Sequence, residues 1–180
     1  MATPPDFSSG AVLTAAQMNA VGLWLVKSQA VGTGVSEIVV TSAFSTDFEN
    51  YKITYTGGNA STGMNIRMKM GATTTNYYSS LLYNTFAVAT ATGATQNNTQ
   101  PQWEWAGATN TTSNFVDITL LSPFMTERTR MISNWCPDDA AGYSSNVLLD
   151  TTSYTAFTLL PGVALNTFTG GTVRVYGYRK

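Results

Sequence analysis

The sequence predicts an all-β protein: an antiparallel β-sandwich, jelly-roll-like, preceded by an N-terminal extended arm and one short α-helix. Three observations carry that expectation. Beyond Gly32 the 180-residue chain reads as short Thr- and Tyr-rich runs with alternating apolar residues, punctuated by Gly, Asn and Ser. Before Gly32, residues 14–31 carry the one helical signal. Hydrophobic residues make up 43% of the chain and charged residues only 11%, so a substantial core is wrapped in an uncharged, hydroxyl-rich surface. The expected organisation is an attachment segment over 1–34 and a β-sandwich domain over 35–180.

Residues 1–13 read as an extended arm, because Pro4 and Pro5 oppose helix and Ser8-Ser9-Gly10 is loop chemistry. Thr14 then offers an N-cap, and Gln17 completes a capping box, with Leu13 and Met18 at staple positions. Met18, Val21 and Leu25 fall at helical spacing, and Leu23, Trp24 and Val26 widen the apolar surface. Met18, Val21, Trp24 and Leu25 are therefore the expected anchoring or oligomerisation residues, with Gly32 and Gly34 ending the helix.

The body opens with Glu37-Ile38-Val39-Val40. Residues 48–56 place Tyr51, Ile53 and Tyr55 on one face and Lys52 and Thr54 on the other, up to a stop at Gly57-Gly58-Asn59. Residues 64–70 alternate again, with Met64, Ile66, Met68 and Met70 opposite Asn65, Arg67 and Lys69. These two runs read as a hairpin or neighbouring strands. The methionine face reads as core, or as an adaptable contact surface. Tyr77–Tyr83 follows as a strand, and residues 88–114 look least structured. Strands resume over 114–121, 129–136, 144–150, 154–160 and 171–179, about eight in all, with no internal repeat.

Function classes narrow by elimination. The chain has no histidine, which removes the usual general base near neutral pH and rules out Ser-His-Asp and Cys-His catalysis. One cysteine, Cys136, excludes an intrachain disulfide and leaves a zinc site without its common ligands. A net charge of −1 with scattered cations speaks against nucleic-acid binding. No run approaches the roughly 20 apolar residues of a membrane span, and no secretory signal opens the chain. Asp47, Glu49, Glu104, Asp117, Glu127 and Asp150 could pair for glycoside hydrolysis, but none sits in a motif. The expectation is a non-enzyme without cofactor or metal.

The Trp103-Glu104-Trp105 triplet is the most distinctive local feature. On a strand both indoles project from one face, where they would stack on a sugar ring or pack into a core or interface. Tyr77 and Tyr78 join Trp103 and Trp105 as expected surface or interface contacts. Asp138-Asp139 reads as a solvated turn rather than a calcium site, and Cys136 as a small buried residue. The sequons at Asn59, Asn97 and Asn110 read as chance matches in an Asn/Thr-rich chain.

The opening Phe7-x-x-Gly10-x-Val12-Leu13-Thr14-Ala15-Ala16-x-Met18-Asn19, the run Phe48-x-x-Tyr51-x-Ile53 and the ending Phe168-x-x-Gly171-Thr172-Val173-Arg174-Val175-Tyr176-Gly177-Tyr178-Arg179 resemble small structural proteins of tailed bacteriophages. The likeness is to the tail-fibre, minor-tail and head-fibre type, and it does not extend over residues 72–128. It implies an oligomeric, typically trimeric, β-sandwich built into a virion, with the arm on other virion proteins and the body outward. The favoured role is a fibre or tail appendage touching a host-surface glycan or protein. A capsid decoration or cement protein is the alternative, and a polysaccharide depolymerase a remote third.

Overall fold

A computed structural model describes residues 22–88, 90–98 and 100–179. It is all-β, with two antiparallel sheets facing one another as a sandwich. Twelve strands follow in order: β1 (Leu23–Ala30), β2 (Ile38–Val40), β3 (Phe48–Ala60), β4 (Met64–Met70), β5 (Tyr77–Thr85), β6 (Thr92–Asn97), β7 (Trp103–Thr109), β8 (Phe115–Leu121), β9 (Arg130–Trp135), β10 (Ala140–Leu148), β11 (Phe157–Pro161) and β12 (Phe168–Arg179). Eight strands form the larger sheet in the order β1-β12-β3-β8-β9-β10-β5-β6, and four form the smaller in the order β2-β11-β4-β7. Among the described residues no helix is long and apolar enough to cross a membrane.

Where the side chains alternate, the expected faces are the observed ones. Tyr51, Ile53 and Tyr55 of β3 are buried, as are Val116, Ile118 and Leu120 of β8 and Val173 and Val175 of β12. Met64, Ile66, Met68 and Met70 of β4 bring the smaller sheet's contribution, which settles the methionine face as core. On the other side of the larger sheet Lys52 pairs with Asp117 at 2.7 Å, diagonally across the β3–β8 register, in which Lys52 faces Thr119 and Asp117 faces Thr54. The buried tyrosines keep their hydroxyls bonded: Tyr51 Oη donates to the Ser45 carbonyl and accepts from the Ser45 amide, and Tyr55 Oη donates to the Gly170 carbonyl.

The helix expected over 14–31 needs correcting. Its first part, with Thr14, Met18 and Val21, lies outside the described residues. Its second part is β1, hydrogen-bonded along β12 from Leu23↔Tyr178 to Ala30↔Thr172, with a bulge between Leu25 and Lys27. Gly22 enters that strand at φ +108°, a conformation a right-handed helix does not contain. A long strand such as β12 leaves a row of backbone groups open, and pairing them outweighs a weak helical propensity. The described part of the segment before residue 35 is thus joined to the body's own sheet.

The expected pairing of residues 48–56 with 64–70, as a hairpin or as neighbouring strands, is also corrected. β3 does not stop at Gly57-Gly58-Asn59 but continues to Ala60, pairing with β12, whereas β4 pairs with β11 and β7 in the other sheet. The crossing of β3 and β12 there depends on glycine. Gly171 has φ +81°, and a Cβ on it would lie 2.5 Å from the Gly58 amide nitrogen.

Candidate functional site

The stretch that looked least structured, residues 88–114, contains two strands, and β7 shapes the most promising site. β7 is an edge of the smaller sheet. Its register with β4 runs Met68↔Trp103 and then Ile66↔Gly107, so two extra residues are accommodated between Trp103 and Gly107. Such a bulge leaves carbonyls without ladder partners. The larger sheet supplies them: Ser144 Oγ donates to the Trp105 carbonyl at 2.5 Å and Ser133 Oγ to the Ala106 carbonyl at 2.7 Å. Gly107 allows the close approach, since a Cβ there would sit 2.7 Å from Val116 Cγ2.

The bulge separates the fates of the two tryptophans. Trp103 is fully buried and meets Tyr77 edge-on, with ring centroids 5.4 Å apart. Tyr77 is buried too; its hydroxyl donates to the Thr73 carbonyl and accepts from the Met70 amide. Burial pushes its pKa well up. Trp103 and Tyr77 therefore serve the core. Glu104 is held by Arg67, which reaches both carboxylate oxygens through Nε and Nη2 at 2.8–2.9 Å, and by Asn65 Nδ2 at 2.9 Å. Trp105 is half-buried and lines an open cleft.

That cleft has a volume of about 480 Å³ and lies between β7 and the β5–β10 end of the larger sheet. Its apolar wall is Trp105, Tyr83 and Trp135, with the Tyr83 and Trp135 rings 6.2 Å apart and inclined by 36°. Trp135 lies over Gly142, its cross-strand partner, where an added Cβ would meet the indole at 2.1 Å. Polar groups at the lining come from Asn65, Thr85, Thr109 and Asp139. Asp139 follows β9 in a turn and accepts from Asn110 Nδ2 at 2.9 Å. The neighbouring Asp138 is held below the usual carboxylate range by hydrogen bonding with Ser113 and Thr112.

The remaining expected residues are dispersed. Tyr78 faces the outside of the larger sheet, in a trough of about 450 Å³ with Val147 and Arg130. Trp24 and Leu25 lie on β1, the edge of that sheet, where Leu23, Leu25 and Tyr178 are also exposed. Cys136 is exposed rather than buried, because it follows the last residue of β9 and the buried positions fall to Trp135 and Pro137 on either side. Asp138 and Asp139 do occupy a solvated turn. Among the described residues no three Cys, Asp or Glu side chains gather as metal ligands. Of the expected acids, Glu104 and Asp117 are ion-paired and Asp150 accepts from the Tyr154 hydroxyl at 2.7 Å.

Sequence reasoning gives Tyr83 and Trp135 no site role, and reads Asp139 only as part of a solvated turn. The signal that could have found Trp135 is its neighbour in the register, a glycine in an otherwise well-filled strand. No protein-family model matches this chain, and no curated protein matches it.

Proposed function

We propose that this chain is a structural protein of a tailed-bacteriophage virion, a fibre or tail appendage that displays its sandwich to the host surface. The observation that carries the reading is the edge of the larger sheet at β1. Leu23, Trp24 and Leu25 are consecutive and 42%, 37% and 56% exposed, beside Tyr178 at 39%. Among the described residues β1 pairs with β12 alone, and Lys27 is its one charge. The apolar stretch Leu23–Leu25 is a surface for joining another chain, whereas Lys27 and the bulge beside it blunt the rest of the strand. The expected attachment segment immediately precedes this strand in the sequence.

In a homotrimer the contact is heterologous, with the β1 edge of each copy meeting a different surface of the next. The resemblance of both chain ends to phage tail and fibre proteins supports the same reading, as does the open cleft lined by Trp105 and Tyr83. The test is incorporation. Particles assembled with Leu25→Lys should carry far less of the chain than wild-type particles, and should adsorb poorly to host cells. Wild-type incorporation of Leu25→Lys would remove the edge from the assembly. Chain found on the head, with shells rupturing in its absence and adsorption unchanged, would make it a decoration protein instead.

A further inference from the structure

We infer that the cleft between β7 and the β5–β10 end of the larger sheet is a binding site for a neutral saccharide, one or two pyranose units long. The inference rests on the host-contact reading above only for the source of the ligand.

The chemistry of the lining selects the ligand class. Trp105 and Tyr83 offer partly exposed aromatic surface to the C–H face of a pyranose, with the buried Trp135 ring backing Tyr83, and flat rings supply large contact area at small entropic cost. The Thr85 hydroxyl and the Asp139 carboxylate stand beside that wall with the donor and acceptors that hydroxyl groups need. Among the described residues no lysine or arginine lines the cleft, so phosphates, sulfated sugars and acidic sugars find no counter-charge there. Asp139 would repel them. A wholly apolar ligand would strand the polar groups of the lining.

The site is also built rather than accidental. The Ser144 hydroxyl fixes the Trp105 carbonyl, Gly142 gives the Trp135 ring its place, and the Asn110 amide steadies Asp139. Two of these supports come from β10 and the third from the turn after β7, so the aromatic wall is preformed.

The test titrates the full-length protein with methyl glycosides of glucose, galactose, mannose and N-acetylglucosamine, and with cellobiose and chitobiose. Tryptophan fluorescence and saturation-transfer NMR report binding. At least one of these sugars should bind, and Trp105→Ala should weaken it tenfold or more. Asp139→Asn, on an exposed turn that tolerates the change, should weaken it several-fold with the fold intact. Absence of binding by every sugar overturns the inference, and so does binding that both variants leave unchanged. Binding of an apolar dye without any sugar overturns it as well. Adsorption to host cells that survives both substitutions would leave the host-contact reading standing without this cleft. Sugar binding by a protein that never adsorbs would do the reverse.

Discussion

Ser133 and Ser144 are small polar residues with little or no exposure, and each aims its hydroxyl across the sandwich at a carbonyl of β7. Replacing either by alanine removes one oxygen and strands a buried carbonyl, a loss of roughly 1–3 kcal/mol. Ser144→Ala should lie at the upper end, because Asn146 Nδ2 also donates to that hydroxyl at 2.9 Å. At about 2–4 °C of melting temperature per kcal/mol for a chain of this size, each variant should melt several degrees low. Ser145→Ala is the internal control: it is the next residue, exposed on the opposite face, and should stay within about 0.5 kcal/mol of wild type. Urea unfolding followed by circular dichroism gives the free energies, and tryptophan emission reports whether Trp105 has loosened. If Ser133→Ala and Ser144→Ala both match Ser145→Ala, the serines do not hold the bulge and the account of β7 is wrong.

Gly142→Ala should cost about 1–3 kcal/mol through overpacking against the Trp135 indole, and should red-shift tryptophan emission as the ring is displaced. An unchanged spectrum and stability would show that the ring does not rest on Gly142. Burial raises the pKa of Tyr51, lifts Tyr55 and Tyr154 to about 12, and lifts Tyr77 higher still. The ordinary value is 10.0, so the folded chain holds protons that the unfolded chain releases between those limits. Stability from these groups should be complete below pH 10 and fall as pH rises toward 12 and beyond. Tyrosinate absorbance from them should appear together with loss of circular dichroism, and their earlier ionisation in a folded protein would contradict their placement.

The strands that could be read in the sequence are those in which period-two alternation faces a dry core on one side and solvent on the other. Tyr51-x-Ile53-x-Tyr55 and Val116-x-Ile118-x-Leu120 are of this kind. β6 is built of Thr, Gly, Ala, Gln and Asn, which fit a sheet's edge without alternating in polarity, and so passed as loop. β7 hides for another reason: its bulge breaks the alternation and sends Trp103 inward while Trp105 stays at the surface. The misread helix shows how a local pattern yields to pairing. Met18, Val21 and Leu25 keep helical spacing, yet Gly22 interrupts them, and β12 needs a neighbour more than residues 23–30 need a helix.

The cleft was half legible. Trp105 stood out by its triplet, but its companions Tyr83, Trp135 and Asp139 come from segments 22 to 34 positions away in sequence and meet it through sheet pairing. Nothing in one sequence fixes that register. Cys136 illustrates a smaller version of the same limit, since alternation past the end of β9 decides its exposure and a strand's end is the least certain thing to read.

The measurement that bears most directly on the account is a reconstruction of the particle carrying this protein. The account places it on the tail or a fibre, in three copies, with each β1 edge buried against a neighbouring chain and the Trp105 cleft open outward. Copies standing on the head, or β1 edges facing solvent while the cleft is buried in the particle, would contradict it.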